Sequence, residues 1–125
     1  MATSLRKNVV LHCNDYALAM ESVQVTKTAT MDNGSALVAA GTEAAELDVA
    51  NVVGFIDDPQ FAEFAKVGET HLVNVVKRLA IVNGTAVKYS DVAELDAAQL
   101  ATLQAAVEDK SIKLQTAVVD TSRLQ

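Results

Sequence analysis

His12 and Cys13 stand side by side, and both residue types bind zinc or act as base and nucleophile. Zinc needs three or four ligands, and the chain holds one other histidine, His71, and no second cysteine. A thiol nucleophile needs a histidine and an orienting partner beside it, and the spacing of Cys13 and His71 prescribes neither. Cys13 is therefore expected to pack as a small apolar residue and His71 to sit at a strand edge. The carboxylates Asp57-Asp58 and Glu108-Asp109 are chain neighbours, whereas acid–base pairs face each other across a substrate. The five glycines, Gly34, Gly41, Gly54, Gly68 and Gly84, make no phosphate-cradling loop. Gly54, inside an apolar run, marks a bulge or a close backbone approach. Tyr16, Tyr89 and three phenylalanines form no stacking platform for bases. Residue types thus point to a structural or binding domain: no enzyme, no catalytic residue, no metal and no cofactor.

The elements that would position any binding surface follow from pattern. A chain of 125 residues suits one domain, and half of it is apolar. With 4% aromatic residues and no Trp, the core must be built from small branched side chains. Period-two alternation predicts a strand from Ser22 onward and another at residues 36–38. Asp32-Asn33-Gly34 lies between them and predicts a hairpin. Residues 39–50 read as an acidic surface loop, with one or two helical turns as the other reading, and 51–56 as a buried strand. Asp58 as cap and Pro59 as first residue start a short helix, ended by Gly68, whose Phe61 and Phe64 plug one end of the core. Residues 71–76 read as a strand running on towards Leu79 and Ile81. Asn83-Gly84 predicts a second hairpin, joining Ile81-Val82 to a return strand at 86–89.

Asp96 and Gln99 have the spacing of a reciprocal capping box, with Leu95 and Leu100 as its hydrophobic staple. Leu100, Leu103 and Val107 then face the core. Ile112, Leu114 and Val118 carry a last strand, and residues 121–125 a tail. The fold expected is a single β-rich α+β domain, residues 15–125, behind an N-terminal arm, residues 1–14.

The net charge of −6 argues against nucleic acid as a partner. Acids gather between Asp32 and Glu63 and between Asp91 and Asp109, and bases near the start and around Lys77, Arg78 and Lys88. The run Val9-Val10-Leu11 is too short for a secretory signal, and no apolar run reaches the roughly 20 residues that span a bilayer. No membrane partner is expected, and synthesis in a cytoplasm is. One cysteine excludes an intrachain disulfide. The arm is the candidate binding segment: Arg6, Lys7, Asn8, Val9, Val10, Leu11 and His12. Its apolar triplet favours strand pairing with a partner, and Arg6 and Lys7 offer positive charge at one end of an acidic chain. The other reading of residues 8–12 is an ordinary strand of the body.

The order of these segments resembles the lambda-like head-decoration (capsid cement) proteins of tailed phages. "MDNGSALVAAG" is similar to a glycine turn before a small-residue strand, and "NVVGFIDD" to a central apolar strand. "VNVVKRLAIVNGTAVKY" resembles the late strand pair. "LDAAQLATLQAAVEDKSIKLQ" resembles a short helix leading into a strand, with Asp109-Lys110-Ser111 where the family carries a glycine before the isoleucine. The resemblance implies a β-tulip or barrel-like body and a structural role outside an icosahedral capsid. The implied partners are the major capsid protein and further copies of the chain, a trimer favoured, clamping neighbouring subunits against internal pressure. Another small virion component (tail, neck or head fibre) and a non-viral peptide- or ligand-binding module are the competing readings.

Overall fold

In the computed structural model, which describes residues 9–115, two sheets share one chain. The order is β1 (Val10–Cys13), α1 (Tyr16–Ala19), β2 (Met20–Thr26), β3 (Ala36–Val38), a 3-10 helix (Glu46–Asn51) and β4 (Val52–Ile56). Then come α2 (Phe61–Phe64), β5 (Thr70–Val76), β6 (Ala80–Asn83), α3 (Ala97–Val107), a 3-10 turn (Glu108–Lys110) and β7 (Ile112–Gln115). One sheet has the order β1-β6-β7 and the other β2-β5-β4-β3. Every pairing is antiparallel except β6 with β7. This is the β-rich α+β domain that composition implied, with two open sheets and no closed barrel.

Two apolar clusters hold it together. The larger lies where the sheets meet α3 and includes Phe55, Val76, Val82, Tyr89, Leu103 and Ile112. The smaller, with Leu37, Ile56, Phe61 and Val75, sits against the four-stranded sheet. That sheet is strongly curled. β2 and β3 are its opposite edges, yet Gly41, just past β3, lies so close to β2 that a Cβ there would stand 2.6 Å from the Gln24 carbonyl oxygen. Gly54 also meets its expectation, since a Cβ there would fall 2.5 Å from the carbonyl oxygen of Val76.

Neither expected hairpin forms. β2 pairs with β5 and β3 with β4, so the Asn33-Gly34 turn joins strands that are not neighbours. Its bonds run outward instead: Gly34 N–H donates to Ile56 O (2.8 Å), and Asn33 Oδ1 accepts from the Asp58 N–H (3.0 Å). Past Asn83-Gly84 the chain does turn, with Ala86 N–H on Asn83 O (3.0 Å), but both sides of β6 are already taken by β1 and β7. The returning segment pairs with the start of β3, where Ala36 N–H donates to Lys88 O (2.9 Å). The β5 pattern also stops short of Leu79. Residues 77–79 carry the chain from one sheet to the other, with Leu79 at a φ of 57°.

The helices follow their caps. In α3 Gln99 N–H donates to Asp96 Oδ1 (2.8 Å) and Asp96 N–H to Gln99 Oε1 (2.9 Å), the expected box. Leu103 and Val107 are buried. Helix α2 is a single turn capped at Gln60, not Asp58, and only Phe61 enters the core. Phe64 is 47% exposed and packs edge-on to Phe61 and His71. The loop expected at 39–50 ends in the 3-10 helix, where Asp48 Oδ2 accepts the Ala45 N–H (3.1 Å). Ser111, where the resembled family carries glycine, has a φ of 60°, the left-handed backbone that glycine adopts without strain.

Candidate docking surface

The expected arm is corrected from Val9 onward. Val9 is 1% exposed, and Val10–Cys13 form β1, paired antiparallel with β6. The physical reason is burial: Val9 belongs to the main core, and Val10 and Cys13 pack against it. Arg6, Lys7 and Asn8 lie outside the described residues, as do Val118 and the expected tail. Leu11 is the extra residue of a bulge between Val10 and His12. His12 is exposed and within hydrogen-bond distance of Asn14 Oδ1 (3.0 Å). Cys13 is half-buried, with the apolar role expected of it. Of the seven candidate residues the structure thus places four, in and just before one short strand.

That strand is an edge, and it differs from β7, the other edge of its own sheet, and from β3. The outer side of β3 is covered: Ala44 N–H donates to Ala36 O (2.8 Å), and Val38 N–H to Thr42 O (3.0 Å). β2 is approached by Gly41 at Gln24 alone, and among the described residues it has no strand beyond β5. The outer side of β7 is closed by a side chain. Gln104, from α3, donates through Nε2 to Ile112 O (2.9 Å) and accepts the Leu114 N–H at Oε1 (2.6 Å). One amide there imitates a neighbouring strand. Among the described residues, β1 has backbone hydrogen bonds to β6 and no strand beyond it. Asn83 N–H bonds Val9 O (2.7 Å), so the next residue, Val10, directs its own N–H and C=O away from β6.

Beside this edge runs an open groove. A concavity of about 470 Å³ is floored by Leu18, Leu79 and Ile81, with His12 and Lys113 on its rim. A second, about 510 Å³, continues from Leu79 and Ser111 to Lys77, Arg78 and Lys110. Sequence reading missed both the groove and the Gln104 clip. Gln104 had a signal, a polar residue directly after the core-facing Leu103, but its partner strand is far from obvious in the chain. Leu79 had none, because its exposure follows from the crossover between sheets.

The titratable groups are spread out. Among the described residues no three His, Cys, Asp or Glu side chains are grouped to hold a metal. His71 bonds Glu69 (3.0 Å), which holds the Glu69 carboxyl below its usual range. Glu21 is likewise held down by Arg78 and Lys77. Tyr16 donates to Asp57 Oδ2 (2.9 Å). Desolvation, that bond and the Asp57 charge push the Tyr16 hydroxyl up to about 12. Burial raises the Asp57 carboxyl, against the lowering effect of the Tyr16 bond.

A raised folded-state value means that Asp57 contributes its full stability below the ordinary carboxylate pKa and loses it as pH rises through the folded value. Asn at this position cannot ionise and can still accept from Tyr16. The melting temperature of Asp57→Asn relative to the wild type is therefore expected to climb as pH rises from 3 towards 7, read by thermal melts across that range. A flat difference would mean that ionised Asp57 is not penalised by folding. Compared with known proteins, the chain matches no family model, no curated protein and no solved structure.

Proposed function

We propose that this chain is a structural virion protein that docks on the outer face of an icosahedral phage capsid and clamps neighbouring subunits. The observation that carries the docking mode is the contrast within the three-stranded sheet: its β7 edge is sealed by Gln104, and among the described residues its β1 edge has no strand beyond it. An uncovered edge is a template for strand addition, and natural proteins block such edges unless they use them. The occupant is an extended segment of the major capsid protein, paired to β1. The role itself rests on the resemblance in segment order, and β1 supplies a physical means for it. Residues 10–13 of the expected arm form an edge strand, and the basic residues Arg6 and Lys7 precede it in the sequence. Individually weak contacts suffice, because many copies on one lattice act together.

The test is co-sedimentation with undecorated shells. Wild-type protein is expected to pellet with them. Val10→Pro removes an outward N–H without touching the β6 ladder, so it should keep its cooperative melt and lose shell binding. Wild-type protein that stays in the supernatant would overturn the role. A folded Val10→Pro that still pellets would overturn β1 as the docking edge and leave the role standing.

A further inference from the structure

β2 is a second open edge, and it belongs to the other sheet. Its seven residues pair with β5 without a register break, from Met20↔Val76 to Thr26↔Thr70. Among the described residues no bulge, proline or clipping side chain protects it, and these are the usual devices at an edge. The bonds at its two ends set the direction of its backbone groups. Lys77 N–H donates to Ala19 O (2.8 Å) and Lys27 N–H to Glu69 O (2.9 Å), so the odd-numbered residues between them bond β5. Ser22, Gln24 and Thr26 therefore direct their N–H and C=O groups outward. Two groups in this row are already engaged: Met20 N–H donates to Tyr16 O, and Gly41 crowds Gln24 O. Met20 and Gln24 lie equally far from Ser22, on either side of it.

The side chains along this edge are uncharged. Ser22, Gln24 and Thr26, with Asn74, Leu72 and Thr70 across the ladder, are all exposed, and Leu72 leaves 68% of its surface in water. The chain carries 16 acids against 10 bases, so two copies repel over most of their surface. A basic partner would be drawn to acids, and this strip has none. An identical acidic copy needs what the strip does offer, a place where no acid meets an acid. Depletion of charge with an apolar residue at the centre is the composition of an interface core.

We infer that β2 pairs with β2 of a second copy, antiparallel about a twofold axis at Ser22. In that register Ser22 N–H donates to O of the partner's Ser22, and the reverse, and Gln24 N–H donates to O of the partner's Met20. The two engaged groups, Met20 N–H and Gln24 O, fall opposite each other across the axis, so the pairing calls on neither. Glu21 falls opposite the partner's Val23, away from its own counterpart, and is already bonded to Lys77 (3.1 Å). The two four-stranded sheets become one continuous sheet. Such a contact is isologous: it uses up the edge on both copies and stops at a dimer, unlike the trimer that the resemblance implies. It rests neither on the capsid reading nor on β1.

Sedimentation and amide exchange of the full chain test it. The strip is small, so the wild type is expected to be monomeric at about 10 µM and to gain dimer as concentration rises to about 1 mM. Once half the chains are dimeric, the Ser22 and Gln24 amides should exchange about twofold more slowly. The Thr26 amide falls opposite the partner's Leu18, outside any strand, and should not change. Ser22→Lys sets two ammonium groups side by side on the axis. It should stay monomeric at the highest concentration and melt like the wild type, because Ser22 is exposed. A wild type that stays monomeric or forms trimers, a Ser22 amide indifferent to concentration, or a Ser22→Lys that dimerises like the wild type would each overturn the inference. Should Ser22→Lys fail to fold, the wild-type amides decide alone. A monomeric wild type whose folded Ser22→Lys variant no longer pellets with shells would assign β2 to the shell and overturn self-pairing.

Discussion

Gly34→Ala is expected to cost at least about 3 kcal/mol and to leave little folded protein at 37 °C, combining left-handed strain with overpacking. Gly34 has a φ of 92°, where an L side chain is strained whatever the space around it. Space is lacking as well. An ideal Cβ at this position falls 2.0 Å from the Ala86 carbonyl oxygen, and the obstacle is backbone, not the end of a flexible side chain. The backbone cannot withdraw easily, because Gly34 is bonded on both sides. Its N–H donates to Ile56 O (2.8 Å), and its O accepts the Lys88 N–H (3.1 Å). Those bonds tie the end of β4 to the segment that returns from β6. Pushing Ala86 away therefore loosens the cover of β3 and the seat of Tyr89 together. Urea denaturation checks the result, and a cost below about 1 kcal/mol, the ordinary size of a point substitution, would mean that this junction is softer than its geometry. Gly68, also at positive φ but with nothing within 4 Å of its Cβ position, provides the control for strain alone.

The same glycine shows what could be read in the chain and what could not. Asn33-Gly34 and Asn83-Gly84 were legible as turns, and both are turns. What a turn signal lacks is the identity of the strands it will serve. β2 and β3 flank the first turn but are opposite edges of a sheet, and their partners are β5 and β4. Pairing across such separations is decided by which apolar faces can be buried together, a non-local term that a local window does not contain. α3 was legible in detail because its cap, staple and stripe lie within a dozen residues. Phe64 misled, since a one-turn helix has only one inward position and Phe61 fills it.

The candidate docking segment was half legible. The run Val9-Val10-Leu11 correctly signals a β-forming segment, but periodicity cannot say whether its partner is in the same chain. Residues 80–83 occupy it from one side. What makes its other side informative is the treatment of β7, the opposite edge of the same sheet, which the Gln104 amide seals. That comparison exists only in three dimensions.

Leu103→Ala is expected to cost about 2–5 kcal/mol, and Asp96→Ala only about 0.5–2 kcal/mol, although both act on α3. Asp96 is exposed, so the Gln99 N–H that it releases is taken up by water, and the penalty is the loss of one cap. Leu103 is fully buried in the main cluster, on the face of α3 that meets the sheets. Its removal leaves a cavity walled by β-sheet and helix, which can shrink only if α3 moves inward. Such a shift is resisted by the next residue, because Gln104 is pinned to Ile112 and Leu114 on β7. The cavity and the clip thus oppose each other. Leu103→Ala should lower the denaturation midpoint more than Asp96→Ala and should also speed exchange of the Leu114 amide, which Gln104 protects. The reverse order of midpoints would show that α3 is held by its cap and not by its core face. An unchanged Leu114 exchange rate relative to global stability would show that the Gln104 clip is independent of the packing beneath it.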